Sequence, residues 1–266
     1  MSPLAPVKHA LAAVLASAHD ALTSLGAAPG AAVTWLLCVA AVVVLVRTAL
    51  LPFVIHGVRQ AHAGARARPH MRELSERYKG KTDADSVRKM LEERRQLSEE
   101  HGVSRLGCLP LLLQLPVWIG LYHLLSEVAS GEPVGAMGQD LVSSFGDATV
   151  FGVSLADHGY VGSGGAHLAV VAGLAAVAAT LSFVTQHYFV APNTTTEGMP
   201  ETMVTVQRLM PGLSAAGILV SAGVVPVALL AYWTFSSAWT LCQSAIVMRW
   251  FPTPGTEAAR RAELRA

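Results

Sequence analysis

The sequence predicts an all-α polytopic membrane protein with five transmembrane helices and a cytoplasmic antiparallel helical hairpin between helices one and two. Three observations predict this class. Hydrophobic residues make up 52% of the chain and charged residues 14%, with a mean hydropathy of +0.45. The apolar residues gather into long runs, as is typical of membrane proteins. Twelve of the nineteen Lys and Arg residues lie in one hydrophilic stretch, residues 59–105.

The apolar runs set the predicted spans, because a helix needs about 20 predominantly apolar residues to cross the hydrocarbon layer. Five runs meet this length, at about residues 33–54, 109–129, 167–190, 203–222 and 225–250. We therefore predict a membrane core over 31–251, which includes the hairpin at 58–105, and a short cytoplasmic tail at 252–266.

Residues 1–30 precede the first span and contain an apolar segment, 9–18, that is too short to cross a membrane. We interpret this segment as an amphipathic element on the outer surface. Ala16-Ser17-Ala18 also resembles the cleavage site of a signal peptide, although Lys8 alone makes a poor positively charged leader.

Charge distribution predicts the topology, because Lys and Arg accumulate in cytoplasmic loops. The hydrophilic stretch at 59–105 is expected inside, and the loop at 129–166, which has neither Lys nor Arg, is expected outside. The N-terminus then lies outside the cell, and the tail with Arg260, Arg261 and Arg265 lies in the cytoplasm.

The hydrophilic stretch has two apolar stripes with helical spacing. The first contains Met71, Leu74 and Tyr78, and the second contains Val87, Met90, Leu91 and Leu97. Between them, residues 80–85 supply a glycine stop, a turn and an N-cap. The stripes predict two antiparallel helices that bury narrow apolar faces against each other and expose charged ones.

Arg47 is the one charged residue within the apolar run at 31–55. A charge at the centre of a spanning helix costs roughly 3 kcal/mol, so such a residue usually faces protein or a water-filled cavity. At about 1.5 Å per residue, Arg47 lies roughly 12 Å along a helix from Ile55. The alternatives are a structural ion pair with another helix, or a helix that ends early at Pro52.

Other motifs exclude several functions. Ser75 stands where a phosphate-binding loop ending in Gly80-Lys81-Thr82 needs its first glycine. The histidines and the three cysteines lack the spacing of a metal site, and no nucleophile stands beside a base. We therefore predict no catalytic residues, no metal, no cofactor and no nucleic-acid binding, and we expect a protein that is not an enzyme.

Four segments resemble the core helices of the YidC/Oxa/Alb membrane protein insertases. They are residues 46–52 (VRTALLP), 107–122 (GCLPLLLQLPVWIGLY), 207–211 (QRLMP) and Pro226 with 232–237 (YWTFSS). They occur in the family's order over residues 31–251, with the hairpin in its expected place.

The resemblance implies five helices around a hydrophilic groove that is open to the cytoplasm and the inner leaflet but closed toward the outside. It implies groove positions at Arg47, Gln114, Tyr232 and Trp233. It also implies a bacterial plasma-membrane insertase and chaperone that uses no ATP. Its partners would be nascent membrane proteins and the lipid bilayer, with the Sec translocon and the ribosome as further candidates.

Two alternatives stay open on the sequence. One is a small transporter or channel in which Arg47 binds an anion, and the other is an assembly factor that keeps the fold without insertase activity. Three features depart from the family pattern and keep the assembly factor open: Val43 at a groove position that is often polar, Val227-Ala228 after Pro226, and the short tail.

Overall fold

A computed structural model of the chain describes residues 4–103, 109–162, 164–195 and 201–265, and these residues are mostly helical. The helices are α1 (Ala5–Ser24), α2 (Ala32–Ala49), α3 (Leu51–Arg77), α4 (Ala84–Glu100), α5 (Leu109–Ala129), α6 (Gln139–Asp147), α7 (Gly165–Val184), α8 (Glu201–Ser221), α9 (Val227–Trp250) and α10 (Glu257–Glu263). A π-helical turn (Thr185–Val190) and a 3-10 turn (Ala191–Asn193) continue α7. Two short antiparallel strands, β1 (Thr149–Val150) and β2 (Val153–Ser154), add a small hairpin that the all-α prediction did not contain.

Within the described residues, three helical segments are long and apolar enough to cross a membrane: Ala32–Ala49, Gly165–Asn193 and Glu201–Ser221. They coincide with the first, third and fourth predicted spans. Helices α5 and α9 occupy the positions predicted for the second and fifth spans. The crossing of these two helices and the five-span topology remain predictions.

The first span is shorter than its predicted bounds, 33–54. Helix α2 ends at Ala49, and α3 begins at Leu51 with Pro52 in its first turn. Proline has no backbone N–H and its ring clashes with the preceding turn, so it favours a new helix start over a continuous helix. The early helix end that the sequence left open as an alternative is therefore present.

The chain folds into two compact units. The first comprises residues 1–49, 111–185 and 211–242, and the second comprises 50–110, 186–210 and 243–266. The first unit holds the hydrophobic core, whose largest fully buried side chains include Trp35, Phe145, Leu124 and Leu229.

Helix α1 belongs to this core and extends beyond the predicted segment, 9–18. Leu11, Leu15 and His19 are buried along one face, at the spacing of an amphipathic helix. The ammonium of Lys8 lies 2.6 Å from a carboxylate oxygen of Glu127 on α5. The ring of His19 stacks on that of Trp35 on α2, with 4.4 Å between centroids. The placement of α1 on the outer side of the membrane remains a prediction.

The segment between α5 and α7 is folded against the start of α9. The first turn of a helix leaves its backbone N–H groups without intrahelical partners. Here the N–H groups of Val227 and Ala228 donate to the carbonyls of Asp157 and Leu155, at 2.9 and 3.0 Å. The segment thus caps α9 and fixes the chain entering that helix.

In the second unit, α3 and α4 pack against each other in opposite directions. The hydroxyl of Tyr78, at the end of α3, donates to Glu93 at 2.7 Å. Further from the turn, the rings of His70 and His101 lie 5.0 Å apart. Asp83 caps α4 by accepting a hydrogen bond from the N–H of Ser86 at 2.8 Å. Hydrogen bonding to the Ser86 hydroxyl, and secondly to this N–H, lowers the pKa of the Asp83 carboxyl.

The apolar stripe predicted on α4 is partly wrong. Leu74 on α3 is only 6% exposed, as predicted, but Val87 and Leu91 on α4 are 39% and 55% exposed. The half-buried positions on α4 include Met90 and Leu97. Adjacent helical positions differ by about 100°, so a face centred on Met90 turns Leu91 outward. Glu93, which accepts the hydrogen bond from Tyr78, is half-buried on the same face.

The two sides of the predicted topology are testable at exposed positions. Thr82 lies in the turn between α3 and α4, and Ser143 lies on α6; both are exposed. In a background without Cys38, Cys108 and Cys242, we expect an impermeant maleimide on intact cells to label Ser143→Cys and not Thr82→Cys. Both sites should label after permeabilisation. Labelling of Thr82→Cys in intact cells would contradict the topology.

Candidate functional site

Arg47 lies in the last turn of α2 and reaches α9 within the first unit. Its Nη2 donates a hydrogen bond to the hydroxyl oxygen of Ser236 at 2.6 Å. Ser236 is only 9% exposed, so the contact is largely shielded from solvent. The end of α2 also suits a cation, because helix dipoles place partial negative charge at their C-termini.

Tyr232 lies one turn before Ser236 on α9, on the same face of the helix. It is 4% exposed, and its phenol is close enough to interact electrostatically with Arg47. The guanidinium is therefore bounded on α9 by a hydroxyl and an aromatic ring. Both are uncharged groups.

The partners of Arg47 are uncharged and therefore do not neutralise its positive charge. Among the described residues, no ion pair includes Arg47. Within the described part of the first unit, the ion pair that joins two helices is instead Lys8–Glu127. The structural ion pair left open on the sequence is thus not found in this part of the chain. A hydroxyl orients a guanidinium without neutralising it, so Arg47 keeps its positive charge for another partner.

Among the described residues, no hydrogen bond joins Arg47 to the other two predicted site residues, Gln114 and Trp233. Gln114 is half-buried on α5. Trp233 is half-buried and packs against the hydrophobic core of the first unit. The structure therefore joins Arg47 with Tyr232 and adds Ser236, which the sequence-based site omitted. The spacing of four residues between Tyr232 and Ser236 is the signal that predicts their common face.

The site combines one cation with hydroxyl and apolar neighbours. Within the ranges that the structure describes, no group of three or more His, Cys, Asp or Glu residues is placed to hold a metal ion. Val43, one turn before Arg47, is 3% exposed and is apolar. A positive charge beside apolar and hydroxyl groups can attract a carboxylate or another polar group.

Fold and site together define a helical membrane protein with an arginine held on neutral partners between two of its helices. The family model described as 60Kd inner membrane protein matches residues 28–254. The chain belongs to this family, that of the YidC/Oxa/Alb proteins, which confirms the resemblance found in its sequence.

Several similar proteins are membrane protein insertases by name. The chain is 26% identical to the insertase YidC of Bifidobacterium longum, over 98% of this chain and 80% of that protein. It is 30% identical to the YidC of Streptomyces avermitilis, over 84% of this chain and 53% of that protein. It is 28% identical to the insertase MisCA of Bacillus subtilis, over 77% and 67% of the two chains.

Proposed function

We propose that this chain is a membrane protein insertase and chaperone, which helps newly made membrane proteins enter the bilayer and fold. The names of its relatives support the insertase role. The observation that carries the proposal is the hydrogen bond from Arg47 to Ser236, because it positions a cation on a neutral group. Such a cation is available to a client.

In this mechanism Arg47 attracts the acidic or polar end of a client while the client's apolar segment moves into lipid. Ser236 orients the guanidinium, and Tyr232 supplies a shielded wall beside it. Gln114 and Trp233 are proposed as further groove residues, on the strength of the family resemblance. Water and polar side chains at membrane depth lower the barrier for the polar end, which otherwise faces bare hydrocarbon.

The energetics are consistent with insertion without ATP. A client span of about 20 residues such as Leu or Ile gains roughly 0.5 kcal/mol per residue, or about 10 kcal/mol in all. Each charged residue that passes the membrane centre costs roughly 3 kcal/mol. The free energy gained by burying the span therefore exceeds the cost of moving two or three charges across. The insertase needs only to lower the energy barrier to their passage.

The proposed setting is a bacterial plasma membrane with the N-terminus outside and the C-terminus in the cytoplasm. The groove would open to the cytoplasm and the inner leaflet. Nascent membrane proteins and lipid are the direct partners, and the Sec translocon and the ribosome are possible donors of clients. The α3–α4 hairpin is proposed to meet clients.

Complementation tests this proposal. We expect the chain to restore growth and client insertion in a bacterium depleted of its own insertase. A chain that accumulates in the membrane at normal levels without restoring insertion would contradict the insertase role and favour the assembly factor.

Ser236→Ala should lower insertion of clients with acidic tails by roughly tenfold, because hydrogen bonds to charged groups contribute about 1.5–3 kcal/mol. Ser236→Thr, which keeps the hydroxyl, should restore most of the activity. Ser237→Ala is the matched control, since Ser237 is its half-buried neighbour. Pulse labelling with protease protection of the client measures the effect. If Ser236→Ala inserts clients as well as the wild type does, Ser236 has no part in the mechanism.

A further inference from the structure

A cleft of about 1280 Å³ lies in the second unit beside the α3–α4 hairpin. Met71 and Leu74 of α3 and Met90 of α4 contribute apolar lining, and Thr195 and Pro254 also line it. We call it the hairpin cleft. It belongs to a different unit from Arg47, and the site described above does not use it.

The charged lining of the hairpin cleft is predominantly positive. Among the residues that the structure describes, four cations and two carboxylates contribute to it: Arg68, Arg72, Lys79 and Arg94, with Glu73 and Glu76. Arg68 is anchored, because its Nη1 donates to the carbonyl of Thr195 at 2.8 Å. The pair between Arg72 and Glu76 is long, at 3.4 Å, and both side chains are about two-thirds exposed. An exposed pair of this kind contributes at most about 1 kcal/mol, so a ligand carboxylate can replace Glu76 at little cost.

The apolar part of the lining is adaptable. Met71 and Met90 are half-buried, and flexible thioether side chains adjust to irregular apolar surfaces. Pro69 lies within α3 and lines the cleft together with Ala65. Proline has no N–H, so α3 lacks the hydrogen bond to the carbonyl of Ala65. The cleft therefore combines cations with an apolar floor.

The volume fits a helix. A helix treated as a cylinder about 10 Å across with a pitch of 5.4 Å occupies roughly 420 Å³ per turn, so the cleft volume of about 1280 Å³ equals that of about three turns. An amphipathic helix with acidic residues on one face matches both halves of the lining, with its apolar face on the methionines and its carboxylates on the arginines. Lipid headgroups would satisfy the cations but leave the apolar floor uncovered.

We propose that the hairpin cleft binds an amphipathic helical segment of a client or targeting protein whose polar face is acidic. The proposal rests on the proposed function only in taking the partner to be a polypeptide delivered for insertion. It assigns the hairpin a recognition site with its own chemistry, separate from the charge at Arg47.

Binding of fluorescent peptides to the full chain in nanodiscs tests the proposal, read out by anisotropy. The probe is a helical peptide of about three turns with leucines on one face and glutamates on the other. Two matched peptides accompany it, one with lysines in place of the glutamates and one with the same composition in scrambled order. We expect the acidic amphipathic peptide to bind at least tenfold more tightly than either.

Charge reversal locates the site. Arg72→Glu with Arg94→Glu should weaken binding by about tenfold or more, since each removes an attraction and adds a repulsion. Arg88→Glu is the matched control, because Arg88 is exposed on α4 outside the cleft lining. Client insertion by Arg47→Ala is measured separately from peptide binding, so failure of the cleft and failure of the insertase mechanism are distinguishable.

Three outcomes would overturn the proposal. One is equal binding of the scrambled peptide, which indicates general electrostatic attraction. Another is an equal effect of Arg88→Glu and the double reversal. The third is loss of binding when anionic lipid replaces neutral lipid in the nanodisc, which would assign the cations to the membrane surface.

Discussion

Arg47→Ala should reduce insertion of clients with acidic translocated tails by about 100-fold, whereas Arg47→Lys should keep most of the activity. A charge at membrane depth costs roughly 3 kcal/mol, and an opposite charge offsets this cost. Loss of that offset in Arg47→Ala corresponds to the expected reduction of about 100-fold. Lysine keeps the positive charge but lacks the planar fork of arginine. In the proposed mechanism, a groove that receives clients of varied geometry depends on the charge more than on a fixed bidentate contact.

The measurement is protease protection of pulse-labelled clients in cells depleted of their own insertase. A client with the same span and a neutral tail is the control, and it should be much less affected by Arg47→Ala. Both variants must accumulate to wild-type levels. If lysine fails as completely as alanine, the bond to Ser236 serves the fold and our account of Arg47 is wrong.

Gly159→Ala should destabilise the first unit strongly. Gly159 has a φ of +65°, and an added Cβ would lie 2.3 Å from the carbonyl oxygen of Gly223, a backbone atom that cannot rotate away. The N–H of Gly159 also donates to the carbonyl of Val225 at 3.2 Å, next to the start of α9. Relief of the clash would displace the chain that enters the helix carrying Tyr232 and Ser236.

We expect the melting temperature of the detergent-solubilised chain to fall by roughly 5–10 °C, the scale for a loss of about 3 kcal/mol. Gly152→Ala is the matched control. Gly152 also has a positive φ, +80°, but an added Cβ there meets nothing within 4 Å. It should lose only the roughly 1–2 kcal/mol of a strained backbone. Equal shifts for the two variants would contradict the proposed close packing at Gly159.

Local patterns predicted the elements of this fold well. Apolar length placed three helices that could span a membrane, and Gly80 with Asp83 placed the turn between α3 and α4. Helix rotation was harder, because Met90 and Leu91 are both apolar and either fits a stripe. Only the partner helix determines which of them faces inward.

Contacts between distant parts of the chain explain what the sequence did not predict. Lys8 looked like a weak leader charge, yet it pairs with Glu127, 119 residues away. That pair and the stacking of His19 on Trp35 make α1 part of the core. The role of Ser236 was also not predicted, because it depends on the approach of α2 to α9. A single sequence has no signal for such pairs.

Reconstitution tests the central claim most directly. The purified chain is placed in liposomes of bacterial lipids and given a client with one apolar span and an acidic tail, without nucleotide or translocon. We predict that the tail becomes protease-protected far above the level of protein-free liposomes, and that added ATP changes nothing. Protection no greater than in protein-free liposomes, or anion uptake without client insertion, would contradict the insertase and favour a transporter.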